Sequence, residues 1–315
     1  PFALGWGVGA LLLPEASAYV HAFLGATLTA TSVGITARVL QDLGKTDTRE
    51  ARIILGAAVI DDVMGLVVLA VVTGVIAAAD HGTTISSWAI ALILLKALAF
   101  LAGSLIIGVN LSPRVFALAS HLKARGVLLA VALSFCFALA WLAGLIGLAP
   151  IVGAFAAGLI LEQVHYRDFT ERGEHQLEEM IQPISAFLVP VFFVLMGMHT
   201  DLASFARLDV LGLAGALTLA AIAGKQVCYF GVAARGIDRL TVGLGMIPRG
   251  EVGLIFANIG LTLTIQGEPV IDAATYSAVV IVVIVTTMVT PPLLKWSVSR
   301  QRPHSQQGQR DAPRR

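Results

Sequence analysis

The stretch ILGAAVIDDVMGLVVLAVVTGVI, residues 54–76, decides how the chain must fold. It is an apolar run long enough to cross a bilayer as a helix, and only the adjacent acids Asp61 and Asp62 interrupt it. Asp61 lies seven residues after Ile54 and Asp62 fourteen residues before Ile76, roughly 10 Å and 21 Å from the two ends at 1.5 Å per residue. Charges at that depth are costly and are usually functional or paired. The stretch therefore predicts a membrane helix with a functional centre near its middle.

The rest of the chain has the same character. Hydrophobic residues make up 57% of the 315 residues and charged ones 13%, compared with about a quarter charged in soluble domains. We predict an all-α polytopic membrane protein with about ten transmembrane helices. Their approximate positions are 1–13, 22–41, 51–78, 88–110, 126–146, 149–163, 181–199, 209–234, 240–263 and 273–297. The net charge of +1 gives no reason to expect a nucleic-acid partner.

Lysine and arginine side chains concentrate in every second connection between these segments. They occur within 38–52, 114–125, 167–172, 235–239 and 295–315, whereas the opposite connections contain only Arg207. The positive-inside rule places the basic side in the cytoplasm. We therefore predict a multi-pass protein of the inner (cytoplasmic) membrane, in contact with the lipid bilayer, with a cytoplasmic C-terminus.

The aspartate pair has a cationic candidate partner at similar depth. Neighbouring residues on a helix point about 100° apart, so Asp61 and Asp62 face different neighbours. One can line a cavity while the other pairs with Lys225, which lies within AIAGKQVCYF at 221–230. A carboxylate in such a site can exchange a proton for a hard cation that prefers oxygen ligands. The alternative is an inert, stabilising triad.

Two other segments contain helix-breaking residues at mid-depth. The second segment, HAFLGATLTATSVGITARVL at 21–40, carries hydroxyl side chains between two glycines; the ninth, LTVGLGMIPRGEVGLIFANIG at 240–260, carries a Pro-Arg-Gly-Glu run. Proline and glycine free backbone groups that then need protein or water partners. Each segment is the middle of a triplet, and the charge pattern gives the triplets opposite orientations. Inverted triplets with broken middle helices indicate a secondary transporter with a site at the midplane.

The residues at these breaks are further candidates for the site. Thr29, Thr31 and Ser32 can offer hydroxyl ligands to an ion, or can bond back to their own helix. Glu251 can stabilise the N-terminus of the second half-helix, which leaves Arg249 to another partner. For Pro248, Arg249 and Glu251 we favour a structural role over direct ion binding.

At these residues the chain resembles the second family of monovalent cation:proton antiporters, especially its NapA-like and GerN-like sodium/proton members. The similar stretches are ATLTATSVGITARVLQDLG, ILGAAVIDDVMGL, PIVGAFAAGLIL, GMIPRGEVGLIFANIGL and the region of Lys225. The resemblance implies the antiporter fold, with inverted repeats and two discontinuous crossing helices. It also implies a homodimer in which a mobile core moves against a static dimerisation domain, as an elevator does.

The resemblance also implies roles for individual residues. Asp62 corresponds to the carboxylate that binds Na⁺ or a proton, and Asp61 to the neighbour that forms a salt bridge with Lys225. Thr31 and Ser32, with Thr29 beside them, fall at the unwound crossing near the ion. The Asp-Asp pair is the pattern of electrogenic exchange. No cofactor is implied beyond the transported Na⁺ and protons.

The implied domain organisation divides the chain into four parts. Residues 1–78 form the first half of the core (ion-translocation) domain, and 200–298 form the second half. Residues 79–199 form the linker helix and the helices on the dimerisation side, and 299–315 form a disordered, basic cytoplasmic tail. Because family members have helices ahead of the first segment, the chain is expected to be an N-terminally truncated fragment, and dimerisation is expected of the full-length protein.

Other functions remain open at this stage. A K⁺/H⁺ antiporter or a K⁺ efflux system of the same superfamily is the main alternative, because the sequence does not choose between Na⁺ and K⁺. A transporter of organic anions with a similar fold would require a less acidic binding site at its centre. Intramembrane aspartyl proteases use two aspartates on separate helices, whereas adjacent aspartates splay apart.

Overall fold

The computed structural model describes residues 1–80, 87–121, 126–161, 177–233, 236–265 and 267–300. Helices dominate these residues, together with one short 3₁₀ helix (Leu202–Ala206) and a two-stranded hairpin. The α-helices are α1 (Phe2–Leu12), α2 (Ala18–Thr27), α3 (Val33–Asp42), α4 (Arg49–Asp80), α5 (Ser87–Ser120), α6 (Val127–Leu145), α7 (Pro150–Ile160), α8 (Leu177–Met198), α9 (Leu208–Gln226), α10 (Cys228–Gly231), α11 (Arg239–Gly245), α12 (Glu251–Thr262) and α13 (Ala273–Arg300). The antiparallel hairpin pairs β1 (Thr264–Ile265) with β2 (Glu268–Pro269).

Six helices in the described residues are long and apolar enough to cross a membrane: α4, α5, α6, α8, α9 continued through α10, and α13. Shorter apolar helices are α1, α7 and α12. The prediction of an all-α polytopic membrane protein is therefore confirmed. Nine of the ten predicted segments correspond to these helices, and the remaining one, 22–41, corresponds to α2 and α3.

Several helix ends differ from the sequence-based boundaries. Helix α5 continues to Ser120, well past residue 110, and tolerates Pro113 in its interior. Helix α9 ends at Gln226, one residue after Lys225, and a turn at Val227 separates it from α10, where one continuous segment was predicted. Helix α13 extends to Arg300, so the first two residues of the predicted tail are helical. Residues 301–315 of that tail lie outside the described residues.

Both predicted interruptions are present as breaks between half-helices. The chain leaves α2 at Leu28 and enters α3 at Val33, and it leaves α11 at Met246 and enters α12 at Glu251. Asp238 caps the N-terminus of α11 by accepting a hydrogen bond from the Leu240 N–H at 2.9 Å. Each broken element is preceded by one helical segment and followed by another, so α1–α4 and α9–α13 share the same order.

Two main clusters of buried side chains hold the broken elements in place. The larger surrounds Phe23, Phe256 and Tyr276, and it joins α2 and α12 to α4, α9 and α13. A second cluster around Ile54 and Ile247 packs α11 against the beginning of α4 and the end of α13. Because these clusters lie on either side of the breaks, they fix where the interrupted segments meet.

Glycines allow unusually close helix packing in two places. A Cβ atom at Gly25 on α2 would lie 2.7 Å from the Phe2 carbonyl oxygen on α1. A Cβ atom at Gly153 on α7 would lie 2.0 Å from the Leu139 carbonyl oxygen on α6. Small residues at helix contacts are typical of membrane proteins, where close backbone approach supplies much of the packing energy.

Candidate ion-binding site

Helix α4 carries Asp61 and Asp62 near the middle of its 32 residues. Both acids are half-buried, and the helix buries Ala58, Gly65 and Leu66 around them. A Cβ atom at Gly65 would lie 3.9 Å from Thr29 Oγ1. Because Gly65 follows Asp62 by three residues, the two share a face of α4, and this face is turned towards the first break.

Asp61 pairs with Lys225. The Lys225 ammonium donates a hydrogen bond to Asp61 Oδ1 at 2.6 Å, and only 4% of the Lys225 side chain is exposed. Lys225 lies in the last turn of α9, where the partial negative charge of the helix C-terminus also favours a cation. The structure thus places the deep lysine next to one of the two aspartates, while its role in transport stays a prediction.

The two breaks touch at their centres. The Ser32 N–H donates to the Pro248 carbonyl oxygen at 2.9 Å, which joins the two unwound backbones directly. The Ser32 hydroxyl donates to Glu251 Oε2 at 2.6 Å. Ser32 precedes the first residue of α3 and Glu251 is the first residue of α12, so this bond links the N-terminal ends of two half-helices. A carboxylate at that place is stabilised by both helix ends.

The Arg249 side chain forms hydrogen bonds at the opposite, C-terminal ends of the half-helices. Its guanidinium donates to the Ile247 carbonyl oxygen, just beyond α11, and to the Leu28 carbonyl oxygen, just beyond α2, each at 2.8 Å. Arg249 is only 1% exposed. The guanidinium therefore places its charge where the C-terminal ends of both half-helices leave carbonyl groups without helical partners. Arg249 and Glu251 do not pair with one another. Arg249 bonds to carbonyl groups at two helix C-termini, whereas Glu251 lies where two helix N-termini meet.

Three buried oxygen atoms around the first break have no hydrogen-bond partner within the described residues: Asp61 Oδ2, Asp62 Oδ1 and Thr31 Oγ1. Asp61, Glu251 and Lys225 are the charged groups that act electrostatically on Asp62. Buried polar atoms normally find a partner, so oxygens without one suggest a place for a proton, a water molecule or an ion. Carboxylate and hydroxyl oxygens are ligands that hard cations prefer.

The other predicted site residues fall into two groups. The Thr29 hydroxyl donates a hydrogen bond to the Ala26 carbonyl oxygen at 2.6 Å, so the hydroxyl hydrogen of Thr29 bonds back to the preceding turn of its own segment. Pro248 is buried, and its carbonyl oxygen accepts the hydrogen bond from the Ser32 N–H that connects the two breaks. No cluster of three or more His, Cys, Asp or Glu side chains suited to a metal ion occurs in the described parts of the chain. A cation at this site would therefore need hydroxyl or carbonyl ligands besides the two aspartates.

The sequence did not reveal the residues of α13 that complete the second break. Thr286 Oγ1 accepts a hydrogen bond from the Arg249 N–H at 3.2 Å, and the Thr287 hydroxyl donates to the Arg249 carbonyl oxygen at 2.6 Å. The only signal was an adjacent pair of threonines inside an apolar segment. Such threonines usually bond back to their own helix, so the pair carried little information.

A cavity of about 510 Å³ opens beside the crossing, between α3, α8, α12 and α13. Its lining is largely apolar and includes Ile35, Phe193 and Leu254, whereas Glu251 contributes a carboxylate and Thr287 a hydroxyl. The cavity therefore lies between α8 and the acidic end of the crossing.

A family model described as "Sodium/hydrogen exchanger, transmembrane" matches residues 1–299 of this chain. The chain belongs to this sodium/hydrogen exchanger family. Its assignment to the monovalent cation:proton antiporters is thereby confirmed, as is the prediction of a transporter rather than an enzyme. The interrupted helices, the aspartate pair and Lys225 all lie inside the matched region.

Individual relatives in this exchanger family are named as antiporters. The chain is 40% identical over 301 residues to the high-affinity Na⁺/H⁺ antiporter NhaS3 of a Synechocystis species, covering 94% of this chain and 62% of that protein. It is 35% identical to the Na⁺/H⁺-K⁺ antiporter GerN of Bacillus cereus, covering 94% and 75%. It is 32% identical to a Na⁺/H⁺ antiporter of Enterococcus hirae, covering 87% and 68%. The chain thus spans somewhat more than three fifths of the first relative's length.

Proposed function

We propose that the protein exchanges Na⁺ or Li⁺ for protons across the cytoplasmic membrane, with Asp62 as the carboxylate that carries cation and proton in turn. Membership of the sodium/hydrogen exchanger family supports this function, as do relatives that are named Na⁺/H⁺ antiporters. The proposal extends to the pH and cation balance of the cell, which such an exchange would adjust.

The observation that carries the proposal is the environment of Asp62 Oδ1. This oxygen is buried and accepts no hydrogen bond from the described part of the chain. A buried carboxylate without donors is costly, and either a proton or a cation removes most of that cost. The two cannot occupy the same carboxylate together, so binding one requires release of the other. That competition is the chemical basis of an exchange reaction.

The Asp61–Lys225 pair supports an electrogenic exchange. Asp61 Oδ2 is also buried without a donor, whereas Asp61 Oδ1 accepts from Lys225. If a cation draws Asp61 away from the ammonium, a buried Lys225 loses its counter-ion and gives up its proton. Protons would then leave from both Asp62 and Lys225 for each monovalent cation bound. One positive charge would enter the site while two left it.

The hydrogen bonds that connect the two breaks favour movement of the whole site as one rigid body. The backbone bond from Ser32 to Pro248 and the Arg249 bonds to Leu28 and Ile247 tie both broken elements together. We propose that this core moves like an elevator against α6–α8, and that two copies of the full-length protein form a homodimer through the latter side. The cavity along α8 is where the moving and static parts would meet. The distribution of basic residues between the segments supports a cytoplasmic C-terminus.

Potassium is the second candidate cargo, because one relative is named a Na⁺/H⁺-K⁺ antiporter. The deciding experiment uses the complete natural protein in proteoliposomes that contain a pH-sensitive dye. Pulses of Na⁺, Li⁺ or K⁺ are added outside, and proton movement is followed. We expect Na⁺ and Li⁺ to drive proton movement and Asp62→Asn to abolish it, at least about a hundredfold, because an amide cannot exchange a proton for a cation.

The matched control is Asp80→Asn, which changes an exposed carboxylate at the outer end of the same helix. We expect this control to exchange ions at the wild-type rate. Lys225→Gln should change the charge moved per cation, measured with a potential-sensitive dye. Unaltered exchange in Asp62→Asn would overturn the site, and K⁺ as the preferred ion would overturn the Na⁺ assignment.

A further inference from the structure

The unwound segment at 246–250 contains Arg249, a residue whose backbone N–H and C=O groups are both held by another helix. The Arg249 N–H donates to Thr286 Oγ1 at 3.2 Å, and the Arg249 carbonyl oxygen accepts from the Thr287 hydroxyl at 2.6 Å. Neither backbone group has a helical partner, because Arg249 lies between the end of α11 and the start of α12. Two adjacent threonines on α13 thus bond both backbone polar groups of Arg249, which belong to two successive peptide units.

The hydrogen positions at Thr286 are consistent with this arrangement. Its hydroxyl hydrogen is directed back to the Val282 carbonyl oxygen at 2.8 Å, which leaves the oxygen lone pairs for the Arg249 N–H. Thr286 is fully buried, so water cannot easily replace it as an acceptor. Because neighbouring residues on a helix point about 100° apart, Thr286 and Thr287 reach Arg249 from two directions.

Fixing the Arg249 backbone also directs the Arg249 side chain. The guanidinium donates to the Leu28 carbonyl oxygen, one residue before Thr29 and three before Thr31 in the first break. It also lies within electrostatic range of Asp61. A chain of direct contacts therefore runs from α13, through Arg249, to the segment that faces the aspartate pair.

We propose that Thr286 and Thr287 are positioning residues for ion exchange: they hold the Arg249 backbone so that its guanidinium fixes the end of α2 beside the Asp62 site. They touch neither the ion nor the proton. This inference rests on the proposed function, since the site it positions is the one assigned there.

The test compares three single variants in proteoliposomes. Thr287→Val keeps the shape of the side chain and removes the hydroxyl, and Thr287→Ser restores the hydroxyl. Thr290→Val is the control on the same helix: Thr290 is more buried than the half-buried Thr287, and in the described residues it donates to the Thr286 carbonyl oxygen of its own helix. We expect Thr287→Val to raise the Na⁺ concentration for half-maximal exchange about fivefold, the effect of losing one buried hydrogen bond. Thr287→Ser and Thr290→Val should stay within about twofold of wild type.

A second measurement does not depend on transport. Hydrogen–deuterium exchange of the peptide that spans 246–252 should be faster in Thr286→Val and Thr287→Val than in Thr290→Val, while peptides from α6 remain unchanged. If Thr287→Val does not fold, Thr287→Ala takes its place. The proposal is overturned if these variants match Thr290→Val in both measurements. If wild-type protein moves no cations, the proposed function fails, whereas faster exchange at 246–252 still decides whether the threonines hold this segment.

Discussion

The two broken helices meet at one point, yet their polar groups are satisfied in different ways. In the second break, the backbone N–H and C=O of Arg249 are bonded by Thr286 and Thr287, and the Arg249 side chain donates to the Leu28 and Ile247 carbonyl oxygens. In the first break, Thr31 Oγ1 has no partner in the described residues, and one oxygen of each facing aspartate has none either.

The difference arises on corresponding helices. Helix α4 follows the first break and carries two adjacent aspartates near its middle, whereas α13 follows the second and carries two adjacent threonines near its middle. A hydroxyl can donate and accept, so two threonines can bond both the N–H and the C=O of an unwound residue without a water molecule or an ion. An ionised carboxylate only accepts and therefore needs a donor or a cation. The backbone groups of Arg249 in the second break are thus bonded within the protein, although Arg249 Nε has no partner in the described residues, whereas the first break leaves acceptor oxygens able to bind.

The largest effect is expected from removing the residue that completes the second break. Arg249→Met leaves the buried Leu28 and Ile247 carbonyl oxygens without this donor, and we expect a loss of about 3 kcal/mol of stability. Arg249→Lys should recover only part of it, because an ammonium lacks the planar fork of the guanidinium. The thermal unfolding midpoint in detergent measures both. The control is Arg239→Met, an exposed arginine at the start of α11. A similar midpoint for Arg249→Met and this control would contradict the difference between the breaks.

An intermediate effect is expected from forcing the two breaks apart. A Cβ atom at Gly250 would lie 2.5 Å from Ser32 Oγ and 2.8 Å from Ser32 Cβ, so Gly250→Ala should cost about 2 kcal/mol through overpacking. Gly34→Ala is the control, because no atom lies within 4 Å of the added methyl group there. Combining Gly250→Ala with Ser32→Gly should raise the thermal unfolding midpoint most of the way back to the wild-type value. Without such recovery, contact between the breaks is not the cause.

The smallest effect concerns a further support of α13 by Asp201, which lies outside the helices that are long enough to cross a membrane. The Asp201 N–H donates to Ser277 Oγ on α13, and the Asp201 carboxylate accepts from the Ser204 hydroxyl and the Ala203 N–H. These bonds, that of Ser204 first, hold the pKa of Asp201 below its ordinary value. The stability they add is present above the ordinary pKa of about 3.9 and is lost as pH falls through the lowered pKa. The midpoint difference between wild type and Asp201→Asn should be constant from about pH 5 to 8 and shrink below about pH 4. A difference that grows on acidification would exclude this assignment.

Much of this architecture follows from the sequence because its signals are local. Apolar runs give the helices, and glycine and proline at mid-depth give the two breaks. Depth alone suggested Lys225 as a partner of the aspartates, and the structure places it against Asp61. The roles of these residues in exchange, the division into a core and a dimerisation side, and the homodimer remain predictions.

What could not be predicted depends on contacts between distant segments. Nothing local indicates that the Arg249 guanidinium reaches Leu28, 221 residues away along the chain. The turn at Val227 contains neither proline nor glycine, so no helix-breaking residue in the sequence predicted it. Thr286 and Thr287 resemble any threonines of an apolar helix until the segment that they face is known. In each case a tertiary partner, and not the residue's own preference, decides the outcome.

The bond between the Ser32 N–H and the Pro248 carbonyl oxygen has a practical consequence for protein engineering. Both of its atoms belong to the main chain, so a library that randomises side chains across either break leaves the bond chemically available in almost every clone. Among the encoded amino acids, only proline at position 32 removes the donor. Selection for altered ion preference can therefore vary the residues that line the site without disconnecting its two halves.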